Sequence, residues 1–217
     1  GVGNCARCGG KMSMSCRYGP LVHGSWLEIN RQPGTLRDCS DTRYEGVKDK
    51  AEFSSGYDTY LMQHLPEAQC AYHFAKYSAD DAEFAFTAPN AHRLSQALQA
   101  LGLHPDSLIV VYDQLNGAYA ARVWYLLAGV YGLDNVRVLD GGFKAWLKQA
   151  RSVETGPAQT VARGTLQVRF TRPLLRSTEQ VGQEKSVPLR CALRREQFQQ
   201  AHIPGSISLP YPELLNN

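Results

Sequence analysis

Apolar and polar positions in the middle of the chain follow the spacings of successive strands and helices. Residues 107–112 form a continuous apolar run with β-branched side chains, which indicates a strand buried on both faces, and residues 136–139 indicate another short strand. Residues 91–101 carry apolar side chains on one helical face, and residues 118–131 form a nearly all-apolar segment that should be a buried helix. Residues 143–149 indicate a further helix. This order of strands and helices predicts an α/β fold with a central parallel sheet flanked by helices.

The rest of the chain divides into segments of different character. Residues 1–19 form an irregular N-terminal segment with three cysteines, five glycines and no apolar period. We assign residues 20–150 to a first domain. Residues 151–165 are polar, with two glycines and one proline, which predicts a linker. Residues 166–170 alternate like a strand, and they open a second, incomplete domain over residues 166–217, which has too few elements to close a sheet of its own.

A sequence pattern occurs twice. Tyr60-x3-His64-Leu65-Pro66 returns as Phe198-x3-His202-Ile203-Pro204, and both pairs of positions (60 and 198, 64 and 202) are 138 residues apart. A period of this length is the size of a domain and indicates a tandem duplication. Because His64 and His202 are equivalent, we expect both rings to have a structural role, bonded to the local backbone.

Composition and charge exclude several classes of protein. The fractions of hydrophobic (43%) and charged (20%) residues are typical of a globular protein. A net charge of +3 without a block of Lys or Arg gives no support to nucleic-acid binding. No apolar run approaches the roughly 18 residues that a membrane helix needs. The six cysteines are irregularly spaced, which favours reduced thiols in an intracellular compartment over disulfides.

The N-terminal cysteines raise the question of a metal site. Cys5-x2-Cys8 is half of a zinc knuckle, and Cys16 and His23 could complete four ligands. The second pair lacks the usual spacing, so we predict no metal and no cofactor.

Three sequence blocks together resemble the tandem-rhodanese sulfurtransferases, the family of thiosulfate and 3-mercaptopyruvate sulfurtransferases. The first runs from Ile109-Val-Val-Tyr-Asp113 to Ala121-Arg-Val-Trp124, and the second is Val138-Leu-Asp-Gly-Gly-Phe-Lys-Ala-Trp146. The third, Ala201-His-Ile-Pro-Gly205, resembles the signature near the start of the second domain. The resemblance implies two rhodanese-like domains with an active site between them. A cysteine on a loop of the second domain would carry sulfane sulfur as a persulfide, its thiolate stabilised by backbone N–H groups.

The resemblance also implies that the first domain is not catalytic. Asp113 stands where a catalytic rhodanese domain would have its cysteine, and its carboxylate would repel an anionic sulfur donor. We interpret the loop as the inactive equivalent of a catalytic loop, with a structural role. It consists of Asp113, Gln114, Leu115, Asn116 and Gly117.

Other candidate residues follow from the same resemblance. Cys191 occupies the place of a family aspartate, so we expect it to be a buried thiol and only a remote candidate for the nucleophile. Arg122, Arg194 and Arg195 are candidate anion contacts, although a buried Arg122 would also need a structural partner. The family arginines of this segment would fall near positions 193 and 197, which are not arginine. In the first copy of the repeat, Glu67 replaces the expected glycine after the proline.

Two functional hypotheses remain open. In the first, the chain is part of a sulfurtransferase that moves sulfane sulfur from thiosulfate or 3-mercaptopyruvate to a thiophilic acceptor, with the catalytic cysteine beyond Asn217. The chain alone would then be inactive. In the second, it is a catalytically silent rhodanese-like module for binding or regulation. The partners implied are a small anionic sulfur donor, a thiol acceptor and a thioredoxin-like protein, with no nucleic acid and no membrane. The expected compartment is the cytoplasm or the mitochondrion.

Overall fold

The fold is described from a computed structural model in which the chain divides into two compact units, Gly1–Leu174 and Leu175–Asn217. Residues 41–45 and 51–55 are described by their backbone alone. The described parts of the chain are residues 19–30, 35–39, 41–45, 51–71, 87–169, 171–184 and 186–215.

A five-stranded sheet forms the centre of the first unit. Its strands are β1 (Leu21–Val22), β2 (Leu36–Asp38), β5 (Gln69–Cys70), β6 (Ile109–Tyr112) and β7 (Val136–Leu139). They lie in the order β1-β7-β6-β2-β5, and every neighbouring pair is parallel. Ile109 pairs with Val136, and Asp38 pairs with both Tyr112 and Cys70. The predicted central parallel sheet is confirmed.

Helices cover both faces of this sheet. They are α1 (Gly24–Asn30), α2 (Tyr57–Met62), α3 (Ala91–Ala100), α4 (Ala118–Trp124) and α5 (Gly142–Lys148). Side chains of β6 alternate between two hydrophobic clusters, because successive residues of a strand point to opposite faces. One cluster packs α3 and α4, and the other packs α1, α2 and α5. In the described part of the chain, no helix has the length and apolar character needed to cross a membrane.

Two of the predicted helices form, and one of them changes from α-helix to π-helix along its length. Asn90 caps α3, where its Oδ1 accepts a hydrogen bond from Arg93 N at 2.9 Å. The helix predicted over residues 118–131 is α-helical in α4 and continues as a π-helix over Tyr125–Val130. Its burial is confirmed by Leu126, Leu127 and Val130, which lie in the core.

A β-hairpin interrupts the first unit between β2 and α2. It consists of β3 (Asp41–Glu45) and β4 (Ala51–Ser55), which pair antiparallel from Asp41 with Ser55 to Glu45 with Ala51. The sequence analysis did not predict this hairpin.

The segment before the second unit does not form the strand that the sequence predicts. The predicted strand over residues 166–170 is wrong, since residues 161–169 form neither helix nor strand. Leu166 and Val168 do alternate inward, but their backbone N–H groups donate to Leu103 O and to Ser95 Oγ instead of to a strand. Both side chains are buried in the core of the first unit. The division between the two compact units falls after Leu174.

The second unit contains short elements. They are α6 (Thr178–Gln183), β8 (Arg190–Cys191), α7 (Arg195–Gln200), β9 (Ile207–Ser208) and a 3-10 helix, Tyr211–Leu214. Strands β8 and β9 pair in parallel over two residues each. Among its described residues this unit has no larger sheet.

Candidate functional site

The loop that follows β6 is organised around the carboxylate of Asp113. This side chain is 2% exposed. Its Oδ1 accepts hydrogen bonds from Leu115 N at 3.0 Å and Gly117 N at 2.9 Å. Its Oδ2 accepts from Tyr119 N at 3.1 Å and Ala120 N at 3.0 Å. Four backbone donors of the loop and of the first turn of α4 therefore converge on one buried anion.

Two glycines bring the start of α5 against this loop. Gly141 and Gly142 have φ values of +72° and +56°, a region that favours glycine. A Cβ atom on Gly142 would lie 3.0 Å from the carbonyl oxygen of Asp113, and that same oxygen accepts a hydrogen bond from Phe143 N at 3.2 Å. The double glycine of the sequence motif thus permits a tight turn and a close backbone contact with the Asp113 loop.

A second buried carboxylate, Asp38, lies at the end of the neighbouring strand β2. Gln114 Nε2 donates to Asp38 Oδ2 and to Gln63 O, both at 2.8 Å. The hydroxyl of Tyr112 is hydrogen-bonded to Asp38 and accepts from Leu65 N at 3.1 Å. Burial, followed by the charge of Asp38, raises the pKa of Tyr112 well above its ordinary value. The carboxyl ends of β2 and β6 therefore form a connected polar network.

The thiol of Cys39 is unsuited to nucleophilic attack. Cys39 follows β2 and is 1% exposed. Burial raises the pKa of its thiol well above the ordinary value, and the charges of Asp38 and Asp113 raise it further. Since the thiolate is the reactive form, Cys39 is held in its unreactive form.

The buried, protonated thiol of Cys39 should resist alkylation. At pH 8.5 iodoacetamide should leave Cys39 unmodified in the folded chain and should modify the half-buried Cys191, because only an accessible thiolate is alkylated. Mass spectrometry of the digested protein measures both sites, with urea-denatured protein as the control in which every cysteine reacts. Rapid native labelling of Cys39 would contradict this account.

Arg122 on α4 lies beside a tyrosine of the same core. It is half-buried, and burial lowers the pKa of its guanidinium to about 10, while an electrostatic interaction with Tyr131 raises it. The hydroxyl of Tyr131 donates to Pro89 O. These surroundings suit a structural guanidinium, and anion binding by Arg122 stays a prediction.

Cys191, Arg194 and Arg195 lie together in the second unit. Cys191 ends β8 and pairs with Ser208 of β9. It is half-buried, so the expectation of a buried thiol is wrong. Arg194 precedes the first residue of α7. Arg195 forms a two-pronged contact with Glu213, from Nε to Oε1 at 2.6 Å and from Nη2 to Oε2 at 2.8 Å. The guanidinium of Arg195 is therefore engaged by a carboxylate, and anion binding by Arg194 or Arg195 stays a prediction.

The two repeated histidines make the same local contacts, although His64 is buried and His202 is exposed. The Nδ1 atom of His64 lies 2.9 Å from Tyr60 O, and that of His202 lies 2.8 Å from Phe198 O. Each ring stacks on the aromatic ring four residues earlier, with centroids 4.0 Å and 3.9 Å apart. The predicted structural role, in which both rings bond to the local backbone, is confirmed.

The residue after each repeated proline has a positive φ. Gly205 has a φ of +82° and Glu67 has a φ of +63°. A side chain other than glycine is strained in this region, which explains why the position favours glycine. Glu67 N nevertheless donates to Glu154 Oε2 at 2.9 Å, so the turn is kept in the first copy.

Glu67→Gly should stabilise the chain by about 0.5–1 kcal/mol. Relief of strain gains about 1–2 kcal/mol, and the greater freedom of glycine in the unfolded chain offsets part of it. Urea unfolding measures the change, and Glu67→Ala is the matched control because alanine retains the strain. If Glu67→Gly proves no more stable than Glu67→Ala, the strain assigned to this position is wrong.

The N-terminal metal hypothesis falls mostly outside the described residues. Cys5, Cys8 and Cys16 are not described, and the described His23 has its Nδ1 atom 3.2 Å from Asp140 Oδ2. Within the described ranges, no cluster of three or more His, Cys, Asp or Glu side chains could hold a metal ion.

Two acidic residues of the site were missed by the sequence analysis. Asp38 could have been found by aligning Leu36-Arg37-Asp38 with Leu189-Arg190-Cys191, because the paired strands place Asp38 and Cys191 at equivalent positions. Glu154 lies in the segment predicted as a linker, where no local pattern marks it. The structure brings it to His64, with which it exchanges two backbone hydrogen bonds of 2.9 Å.

Comparisons with known proteins agree with this architecture. The model of the rhodanese-like domain family matches residues 35–149, which is more than half of the chain. The structure is similar to that of the 3-mercaptopyruvate sulfotransferase SseA of Escherichia coli, with a TM-score of 0.76 and 24% identity. That match covers 91% of this chain and 76% of the other.

Similar sequences occur among sulfurtransferases. The thiosulfate sulfurtransferase of Gallus gallus is 31% identical over 60% of this chain and 49% of its own length, and that of Bos taurus is 29% identical over 91% and 71%. The mitochondrial thiosulfate/3-mercaptopyruvate sulfurtransferase 1 of Arabidopsis thaliana is 24% identical over 91% of this chain and 60% of its own length. With the parallel α/β fold and the family match over residues 35–149, the chain belongs to the rhodanese family.

Proposed function

We propose that this chain is part of a tandem sulfurtransferase that moves sulfane sulfur from thiosulfate or 3-mercaptopyruvate to a thiophilic acceptor. We further propose that the chain itself lacks the loop that carries the sulfur. The observation behind this proposal is Asp113. It follows β6 where a catalytic loop would begin with cysteine, and its carboxylate accepts all four converging backbone N–H groups.

The chemistry of sulfur transfer explains why this loop would be silent. A thiolate must attack the sulfane sulfur, and N–H groups at the start of a helix stabilise both the thiolate and an anionic donor. Here those groups are bonded to Asp113, whose carboxylate is no sulfur nucleophile and repels an anionic donor. The loop is then a structural support that fixes the start of α4 and, through Gln114, the position of Asp38.

A thiocyanate assay tests this proposal. The 217-residue chain and its Cys191→Ser variant are incubated with thiosulfate and cyanide, and thiocyanate is measured. We expect no turnover above the rate without protein for either chain. Turnover that Cys191→Ser abolishes would overturn the proposal and assign sulfur transfer to Cys191.

A catalytically silent module for binding or regulation is the second candidate. It is favoured by Leu193 and Gln197, which stand where the family resemblance expects arginines, and by Arg195, which is engaged by Glu213. The natural sequence downstream of Asn217 separates the two candidates. A strand-to-helix loop with a cysteine supports the enzyme, and its absence supports the module.

Partners and compartment follow from the enzyme proposal. A full-length enzyme would take a small anionic sulfur donor, and a low-molecular-weight thiol or a thioredoxin-like protein would accept the sulfur. We propose the cytoplasm or the mitochondrion as the compartment, supported by the mitochondrial relative from Arabidopsis thaliana. Fractionation of cells that express the natural protein tests this assignment.

A further inference from the structure

The loop that follows β6 contains a pair of residues with a reactivity of its own. Asn116 and Gly117 form the only Asn-Gly step in the sequence. In such a step the backbone nitrogen of glycine can attack the side-chain amide carbon of asparagine, because glycine has no side chain to obstruct the approach. Asn116 is exposed, and a Cβ atom on Gly117 would meet no atom of the surrounding structure within 4 Å, so this side of the loop is open to water.

The asparagine side chain of this step is held in a position that favours attack. Its Oδ1 atom accepts a hydrogen bond from Ala118 N at 3.2 Å. Attack on the Cγ atom of Asn116 would place negative charge on this oxygen, and an N–H group that already donates to it would stabilise that charge.

The attacking nitrogen, in contrast, is restrained by Asp113. Gly117 N donates to Asp113 Oδ1 at 2.9 Å, and the Asp113 side chain is buried. The nitrogen must lose its proton to attack, and that proton lies in a hydrogen bond to a carboxylate. The charge of Asp113 also opposes the negative charge that would develop on the nitrogen, and the buried surroundings strengthen this repulsion.

The start of α4 limits how far this nitrogen can turn. Gly117 precedes the first residue of α4 and has a φ of +86°. Tyr119 N and Ala120 N donate to the other oxygen of the Asp113 carboxylate. Gly117 N can therefore approach Asn116 Cγ only if it leaves Asp113, while the rest of the helix start stays bonded to the same side chain.

We propose that Asn116 is a site of spontaneous deamidation and that Asp113 restrains the reaction in the folded chain. A bond forms between Gly117 N and Asn116 Cγ, the bond from Cγ to Nδ2 breaks, and Nδ2 leaves as ammonia with the proton of Gly117 N. Water then opens the succinimide ring to aspartate or isoaspartate. Both products add a carboxylate to the loop, and isoaspartate also lengthens the backbone before Gly117.

Mass spectrometry of deamidation tests the site. The 217-residue chain is incubated in mildly alkaline buffer, folded or in guanidinium chloride, and digested at acidic pH, and the amide and acid forms of the peptide that contains Asn116 are quantified. We expect the folded chain to react roughly tenfold to a hundredfold more slowly than the denatured chain, the factor that corresponds to breaking one hydrogen bond to a charged group. Asn116→Ser should abolish the mass change of this peptide in both states.

Matched variants distinguish restraint by Asp113 from general stability. Asp113→Ala, while folded, should deamidate faster than the unaltered chain by a similar factor. Leu27→Ala is the control, because it removes a fully buried side chain of α1 and destabilises the chain without touching the loop, so its folded-state rate should not change. If Asp113→Ala does not fold, Asp113→Asn replaces it, with a smaller acceleration expected because the amide keeps the shape and loses the charge.

Four results would overturn the proposal. They are equal rates in the folded and denatured chain, no mass change at Asn116, no acceleration in a folded Asp113 variant, and an equal acceleration by Leu27→Ala. None of these readouts depends on sulfur transfer.

Discussion

Asp113→Ala should lower the free energy of unfolding by about 3 kcal/mol. The variant removes a buried carboxylate that accepts four backbone hydrogen bonds. Hydrogen bonds to charged groups contribute about 1.5–3 kcal/mol each when single partners are removed, but solvent can reach part of the loop and compensate. The loss should therefore be large and well below the sum of four such bonds.

Urea unfolding monitored by tryptophan fluorescence measures this loss. Asp106→Ala is the matched control, since this acid is exposed in the turn between α3 and β6, and it should change stability by less than about 0.5 kcal/mol. If Asp113→Ala lowers the free energy of unfolding no more than Asp106→Ala does, the Asp113 carboxylate does not hold the loop together as described.

Trp146→Ala should destabilise the chain by about 3–5 kcal/mol, the usual range for removing a buried tryptophan. Trp146 is 2% exposed and lies in the core cluster that covers one face of the sheet. Its Nε1 atom donates to Ser152 O at 2.8 Å, and the Arg151 guanidinium carbon lies 5.3 Å from the ring centroid. The variant would open a cavity and would free both contacts at the end of α5.

Two further variants separate the contribution of apolar packing at Trp146 from that of its hydrogen bond and from that of an exposed neighbour. Trp146→Phe keeps most of the apolar contact and loses the hydrogen bond, so it should cost about 1–2 kcal/mol. Leu147→Ala removes a neighbour that is 43% exposed and should cost less than about 1 kcal/mol. Equal losses for Trp146→Ala and Leu147→Ala would show that this side of the sheet is not packed as described.

The elements that could be predicted from the sequence are those with a strong local signal. Strand β6 is an unbroken apolar run, α3 begins at a capping asparagine, and α5 follows two glycines, so each was found close to its observed bounds. Strands β1 and β2 have two and three residues, which is too short for a periodic pattern. Apolar and polar residues do alternate along residues 166–170. This alternation reflects the burial of Leu166 and Val168 against helix α3 and its neighbours, and not the pairing of a strand in a sheet.

In the site, too, the residues with a local sequence signal were found and those that depend on distant contacts were not. Asp113 was singled out through the family resemblance, which places it at the end of a predicted strand where a catalytic rhodanese domain has its cysteine. The contact between Gln114 and Asp38 joins residues 76 positions apart, and a single sequence contains no local signal for such a contact. Glu154 was missed for the same reason, since its partner His64 lies in a different element.

Mass spectrometry after incubation with thiosulfate is the most direct test of the account. The 217-residue chain is treated with thiosulfate labelled in its sulfane sulfur, digested without reductant, and searched for a labelled sulfur atom on each cysteine. The account predicts no labelled persulfide on Cys39, Cys70 or Cys191, because Asp113 occupies the loop that would stabilise the sulfur. Stoichiometric label on any of these three cysteines would contradict it.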